Sequence, residues 1–529
     1  MPPNLQSQTA SSRLPRYGLL LLCIAIALGL ALAFQHWRTR SKLVPQIQAI
    51  VVLPLRNVSG DSTQQYIADG MTEKLISDLG QISALRVISR TSSMSLSSDN
   101  KRLPEIARQF GIDGVVDGSV AREGNRLRIT AQLTDTKTGR RLWKNEYLRD
   151  LGSALDLQRE VAREIVDQIR IKVTPQEQAR LTPTRTINPE AQDLYLQGRY
   201  FLNRGGVESE KEATGYFEKA IEKDPSFALA YAGLAAGYNY LGQAGSLNYF
   251  EVYSKAKAAA MQAIQIDDTL ADGHAALAYS LLDLDWDWMD AGNEFRRALE
   301  LNPNSGPVHS GYALYLARLS RSDEAIAEAE RGLQLDPLSL NAYHMVAYCY
   351  YAARQYDKAL DQIRKASDLN LVTPNSWIHW TLGIIYRDKG NYEKAIEEFR
   401  VVADEPHFLG HLGNAYARAG QSGEANQTIS KLKDYLQRDG VGTYEIALIY
   451  TGLGDKDEAF AWLEKSYKAH DKGLTYLRMD PCVDPLRSDP RFQSLLHRVG
   501  LASQRESGLG LSSAATDSPN HVSRSELAS

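Results

Sequence analysis

The chain has 529 residues, a net charge of −4 at neutral pH, 23% charged residues and three cysteines. That length exceeds one ordinary domain, and the near-balanced charge offers no positive field for nucleic acid. Cys23, Cys349 and Cys482 make no disulfide framework, although a Cys349–Cys482 bridge stays open. Met1 to Pro15 is too polar and too short to fold. Gly18 to Phe34 is seventeen residues without a charge. As a helix it reaches about 26 Å, just short of a ~30 Å hydrocarbon core, and Tyr17 and Trp37 flank it as interfacial anchors. The run predicts a short polar N-terminus over 1–16 and one membrane span over 17–36. Ala31-Leu32-Ala33 fits an A-x-A cleavage site, so a signal peptide is the alternative; the long polar lead before the run argues against it. Arg13 and Arg16 before the span nearly balance Arg38, Arg40 and Lys42 after it, so charge does not choose a side.

Ala49 to Leu55 is an apolar, β-branched run, the pattern of a buried strand, and Asn57 to Asp61 is a turn cluster. Thr63 to Leu79 has helical spacing, with Ile67, Met71, Leu75, Ile76 and Leu79 on one face. A strand at Leu85–Ser89, a helix at Leu103–Phe110 and a strand at Val115–Val120 follow. Arg126–Asp135 alternates strictly and pairs with Arg141–Leu148 across Thr138-Gly139. The order β-α-β-α-β-β-β predicts an α/β domain over 45–150 with an antiparallel hairpin. Asp69-Gly70, Asp113-Gly114 and Asp117-Gly118 read as turns, ahead of a metal or nucleotide reading. Ser153–Val173 is an amphipathic helix and Thr174–Pro189 a Thr-, Pro- and Arg-rich stretch, together a linker helix and hinge over 151–187.

The segments VVLPLRNVSGDSTQQYIADGMTEKLISDLGQISALRVISRTS and FGIDGVVDGSVAREGNRLRITAQLTDTKTGRRLWKNEY resemble the TolB amino-terminal-like, or FlgO-like, domain. The resemblance implies a bacterial protein in which this domain precedes helical repeats, as in membrane-spanning regulators related to CadC. Those relatives carry a winged helix before the span. The seventeen residues here leave no room for a recognition helix, so direct DNA binding is not carried over.

From about Asn188 the chain repeats itself. Ala325, Ala359, Ala395, Ala425 and Ala459 lie 34, 36, 30 and 34 residues apart, each twelve after a small residue: Ala313, Ala347, Gly383, Gly413 and Ala447. Tyr350, Tyr386, Tyr416 and Tyr450 fall three places after the last four of these. Asp224-Pro225, Asn302-Pro303 and Asp336-Pro337 stop helices. Small residues where helices approach and aromatics where they fill gaps, at a period near 34, resemble the tetratricopeptide repeat. The phase gives about eight units over 188–501, followed by a Ser- and Gly-containing tail over 502–529 that reads as disordered. The expected fold class is therefore α+β multidomain: a transmembrane helix, a small α/β domain and an all-α solenoid. Asp283–Pro303 and Asp484–Leu501 resemble segments of the same regulator-related proteins.

No P-loop, H-E-x-x-H, G-x-S-x-G or C-x-x-C occurs, so no enzymatic chemistry, cofactor or metal is expected. His274, His309, His344 and His379 recur every 35 residues, but the interval is the repeat period. Helices ~8–10 Å apart do not converge ligands on one ion, so packing is the better reading. In the resembled family, first-helix residues line an inner groove that binds proteins or peptides. Phase places Tyr240, Tyr279, His344, Tyr348, Tyr351, Trp380, Arg387, Asn414 and Arg418 there, types favoured in interfaces. The function expected is a membrane-anchored scaffold for a protein or peptide partner, of open oligomeric state and without direct nucleic-acid contact. The family arrangement points to a bacterial inner-membrane protein with its body in the periplasm. The alternative is a sensor or signalling subunit whose α/β domain binds a ligand or partner and acts on a separate transcription regulator or cyclase.

Overall fold

The computed structural model describes residues 47–502, apart from 98–102, 125, 151–152, 183–186, 244–248, 373–375 and 404–405. The expected span and the tail from 503 lie outside these. Among the described residues no helix is long and apolar enough to cross a membrane.

The apolar run becomes β1 (Ala49–Val52), buried along its whole length at the centre of a sheet. It pairs in parallel with β3 (Arg86–Val87) on one side and β4 (Gly114–Glu123) on the other, Ile50 lying opposite both Val87 and Gly114. A short β2 (Arg56–Asn57) pairs further along β4, and β5 (Arg126–Asp135) and β6 (Arg141–Asp150) complete the antiparallel side. α1 (Gln65–Gly80) buries Ile67, Met71, Leu75 and Leu79. Two of the three Asp-Gly pairs are not turns. Asp69-Gly70 lies inside α1, where a Cβ on Gly70 would sit 2.5 Å from Leu196. Asp117-Gly118 is in mid-β4, where a Cβ on Gly118 would meet the Thr130 carbonyl at 2.0 Å.

α2 (Arg90–Ser97) was not expected, because RTSSMSLS has weak helix propensity. Tertiary bonds hold it: Ser93 Oγ donates to the Val52 carbonyl, and Ser92 donates through N and Oγ to Asp336 Oδ1 at 2.9 and 2.5 Å. α3 (Leu103–Gln109) follows. α4 (Ala154–Ile169) turns Leu157, Val161, Ile165 and Ile169 inward, and its Glu164 accepts from Trp143 Nε1 and Asn145 Nδ2 at 3.2 and 3.1 Å. The described part of the expected hinge is not loose. α5 (Pro175–Arg180) starts with a capping box, Glu177 accepts from the Ser83 amide at 2.8 Å, and Arg180 donates to the Leu301 carbonyl at 2.9 Å.

Sixteen helices then pair as hairpins: α6 (Pro189–Arg204) with α7 (Val207–Lys223), α8 (Ala228–Gln243) with α9 (Tyr249–Ile266), α10 (Ala271–Ser280) with α11 (Trp288–Leu301), and α12 (Gly306–Arg318) with α13 (Ser322–Leu335). The remaining pairs are α14 (Leu340–Ala352) with α15 (Tyr356–Asp368), α16 (Ser376–Asp388) with α17 (Tyr392–Val401), α18 (Pro406–Arg418) with α19 (Ser422–Asp439), and α20 (Thr443–Leu453) with α21 (Lys456–Lys468). Phased alanines fill the closest approaches, Ala313, Ala325, Ala347, Ala359, Ala395, Ala425 and Ala459 all being buried. The pattern then changes. Two 3₁₀ turns, Lys472–Tyr476 and Pro481–Leu486, lead to α22 (Pro490–Arg498).

The α/β domain and the solenoid, expected as bodies joined by a hinge, share an extensive interface, and the described residues from Gln48 to Ala502 belong to one compact unit. Asn304 donates to the carbonyls of Gly80 and Ile82 at 2.9 and 3.2 Å, and the Ser89 amide donates to the Leu335 carbonyl at 2.8 Å. Tyr66 bonds Asp193 at 2.7 Å, and Arg199 pairs with Glu73. The α/β domain is thus tied to the first helix of the array and to the turns that close the third and fourth hairpins.

Candidate functional site

First helices of the hairpins supply the expected groove residues, and six of the nine line one part-open cavity on the inner face. The chamber has about 560 Å³ of free space. Tyr240, Tyr279, His344, Tyr348, Tyr351 and Trp380 line it, together with Glu73 and Arg90 of the α/β domain and Tyr476, Met479 and Asp480 of the C-terminal segment. Tyr240 is 45% exposed; Tyr348, Tyr351 and Trp380 are buried. The aromatic wall is continuous: ring centres lie 6.0 Å apart for His344–Tyr348, 5.4 Å for Tyr348–Trp380 and 5.7 Å for Trp377–Trp380.

Arg387, Asn414 and Arg418 do not line the chamber. Arg387 is 0% exposed. Its Nε and Nη2 bond Asp388 at 2.9 and 2.8 Å, Nη2 also reaches the Tyr351 hydroxyl at 3.1 Å, and Nη1 faces His411 Nδ1 at 2.9 Å. A guanidinium so enclosed presents nothing to a partner. Burial alone would raise the Asp388 carboxyl's pKa; the Arg387 charge beside it reverses this and leaves it low. Arg418 also pairs with Asp388, at 2.7 Å, and Asn414 is fully buried, donating to the Leu448 carbonyl at 2.7 Å. These three residues join neighbouring hairpins.

The C-terminal segment closes the inner face. Tyr476 accepts from Arg318 Nη2 at 2.7 Å, and Arg318 Nη1 pairs with Asp283 at 2.7 Å. Tyr444 donates to Asp480 at 3.0 Å, and Arg354 pairs with Asp484 at 2.9 Å. Trp286 stacks on His470 at 3.7 Å, and Trp288 Nε1 donates to the Val499 carbonyl at 2.8 Å, linking the third hairpin to the end of the array. Sequence reasoning missed Asp283, Arg318, Tyr476 and Asp480. The available signal was the loss of repeat phase after Lys468, which marks a segment with a different task. Cys349 and Cys482 are both free and buried, so the possible bridge is absent.

Three members of the histidine series bond within their own hairpins. Nδ1 of His274, His309 and His379 meets Glu294, Glu328 and Glu398 at 2.5, 2.6 and 2.7 Å. His344 sits one residue later in its helix than the others do, and so turns inward. Among the described residues no group of three His, Cys, Asp or Glu could hold a metal ion.

Tetratricopeptide-repeat family models match residues 276–339 and 444–469, and the model for anaphase-promoting complex, cyclosome, subunit 3 matches 318–402. The solenoid is built of tetratricopeptide repeats. Proteins with such arrays are interaction scaffolds that bind protein or peptide partners. The chain is 36% identical over 240 residues to "Putative adenylate cyclase 3" of Rhizobium meliloti, covering 45% of this chain and 41% of that protein. It is 22% identical over 265 residues to Superkiller protein 3 of Schizosaccharomyces pombe, covering 47% of this chain and 18% of that one. The chain thus spans less than half the length of either relative. Among solved structures it is similar to the human IFIT1 dimer with PPP-AAAA, at 17% identity and TM-score 0.39, covering 61% of this chain and 84% of that one. It is also similar to yeast Tom70, at 18% identity and TM-score 0.36, covering 58% and 67%.

Proposed function

We propose that the protein is a non-enzymatic, protein-binding scaffold held at a membrane by residues 17–36, with its body in the periplasm. The observation that carries this reading is the stack of hairpins, long enough to present a large surface and built of repeats whose general use is protein binding. The sheet domain is read as TolB-like, and direct nucleic-acid contact is not part of the proposal. Photo-reactive residues placed singly at the exposed Phe250, Met261 and Met289 test it in intact cells. A discrete protein adduct at some of these positions and not others supports a partner surface; no adduct at any solvent-facing position of the solenoid refutes it. A phosphatase reporter fused after Leu501 should be active in a bacterial host. A silent fusion would place the body inside the cell.

A second reading has its own support. The α/β domain is bonded at Asn304 and Asp336 to the turns of two successive hairpins, so a shift of that domain reaches the array directly. Together with the similarity to a protein named as an adenylate cyclase, this suggests a signalling subunit acting on a separate cyclase or transcription regulator. Cyclic AMP measured in cells with and without the chain tests the cyclase branch, and unchanged levels would remove it.

A further inference from the structure

Protein interiors pack closely and leave few voids larger than a water molecule. A part-open cavity of about 560 Å³ lies on the inner face of this array, and its size falls within the ~300–1,000 Å³ of small-molecule sites. An aromatic run crosses its wall, and four atoms of its lining residues are buried without a hydrogen-bond partner: Arg90 Nε, Arg318 Nε and, within that run, His344 Nε2 and Trp380 Nε1. The rings of His344 and Trp380 are 6.4 Å apart. His344 is 8% and Trp380 5% exposed, so neither nitrogen is free to exchange a protein bond for bulk water. The contrast within the histidine series is sharp, since the ring nitrogens facing glutamates in the other three are engaged.

The chemistry of the two atoms defines what fits. An indole N–H only donates, so Trp380 requires an acceptor. Burial lowers the His344 pKa to about 4, so its ring is neutral and Nε2 accepts or donates according to tautomer. Among the charged side chains on the wall, Arg199 pairs with Glu73 and Arg318 with Asp283, and Arg90, Asp272, Asp336, Lys472 and Asp480 also line it. The flat faces of Tyr348 and Trp380 favour a planar π-system.

We propose that the chamber binds one planar heteroaromatic small molecule, stacked against Tyr348 and Trp380, with an acceptor atom facing Trp380 Nε1 and a polar ring atom facing His344 Nε2. The site is independent of the partner surface proposed above, because its lining residues turn inward. A ligand there bridges the α/β domain, the repeats and the C-terminal segment, all three of which contribute to the wall.

The probe is acridone, an uncharged fluorescent tricycle with one carbonyl acceptor and one N–H donor. It is titrated into the full chain in detergent, with tryptophan-to-acridone energy transfer as the readout and empty micelles as the blank. The expected result is saturable transfer at one acridone per chain. Trp380→Phe, which keeps the ring and removes the donor, should weaken it at least tenfold without moving the unliganded melting temperature. His344→Phe should do the same, and Met289→Ala, exposed on α11, should bind as the parent does. Leu314→Trp, which fills the chamber from another helix, guards against misreading a folding defect at position 380 or 344: it should also abolish saturable transfer. Absence of a saturable component in the parent overturns the proposal. So does binding as tight as the parent's by the Trp380→Phe and Leu314→Trp variants when both melt normally.

Discussion

Arg387 separates two accounts of the inner surface. If it faced a partner, Arg387→Ala would weaken binding and leave folding intact. The structure instead places it at 0% exposure in a pair with Asp388, with further bonds to Tyr351 and His411. Removing one member of a buried ion pair typically costs ~3–5 kcal/mol, because the other charge stays behind. Here Asp388 keeps Arg418 at 2.7 Å, which moderates the loss. The abandoned bonds at Tyr351 and His411 add back about 1 kcal/mol each. An overall cost of about 3 kcal/mol follows, and for a chain of this size, with an unfolding entropy on the order of 1 kcal/mol per kelvin, it should lower the melting temperature by roughly 3 °C. Circular dichroism of the full chain in detergent, by heat and by urea, measures it. Asp388→Ala combined with Arg387→Ala should cost less than the two singles added, since no uncompensated charge remains. A single Arg387→Ala variant that melts within 1 °C of the parent would refute the buried-pair account and return the guanidinium to the surface.

The remaining predictions address packing, the domain interface and pH. Gly383→Leu and Gly413→Leu should each cost ~1–3 kcal/mol, read as a lower urea midpoint, because a Cβ at these positions would lie 2.5 Å from Phe399 and 2.3 Å from Ile449. Asp336→Ala removes the acceptor of both Ser92 bonds. It should raise hydrogen exchange across Arg90–Ser97 by one to two orders of magnitude, with α20 and α21 unchanged; uniform exchange would show that the α/β domain is held elsewhere. Burial lowers the His344 pKa to about 4, and burial followed by the Arg387 charge holds His411 well below its usual value. Below pH ~6.5 the unfolded chain takes up protons at these sites that the folded chain refuses, so the stability they contribute is full above that pH and is lost as pH falls toward 4. His274 has a raised pKa and opposes this trend. His344→Gln should therefore flatten the drop in melting temperature between pH 6.5 and 5, and an unaltered slope would exclude a buried neutral His344.

The repeat array was legible because its period is written in small residues whose role is local: a large side chain at Ala325 or Ala359 cannot fit between two helices whatever the rest of the fold does. β1 and the β5–β6 hairpin were legible for a similar reason, since a buried central strand and a half-buried edge impose distinct patterns. α2 was not, because Ser92 finds its partner in Asp336, some 240 residues later, and Ser93 finds its own in the carbonyl of Val52 on β1. The Asp-Gly pairs misled for the mirror reason. Gly70 and Gly118 serve close approaches to Leu196 and Thr130, which local turn chemistry does not foresee. Of the candidate site, phase gathered six aromatic and histidine residues that line one space. It gave no warning that the C-terminal segment returns to that space, nor that Arg387 and Asn414 are buried and Arg418 is paired with Asp388.

That return changes what kind of object the solenoid is. In an open array each repeat touches only its neighbours, and stability is close to a sum of nearest-neighbour terms, so ends fray and interior repeats melt piecemeal. Here the third hairpin, through Trp286 and Trp288, and the fourth, through Arg318, are bonded to residues near the end of the array, and the turns after these two hairpins are bonded to the α/β domain. These contacts span roughly 160 to 250 positions of sequence. They cannot form until distant parts of the array are in place, and they are lost together when any of those parts opens. Such cross-links convert a one-dimensional stack into a closed body whose halves unfold together. They also give the central chamber a fixed wall, because an aromatic surface assembled from several hairpins keeps its geometry only if those hairpins cannot slide. A scaffold that bound partners by flexing open would be expected to lack these links; their presence argues that the inner face is built to hold something small and that protein partners meet the outside.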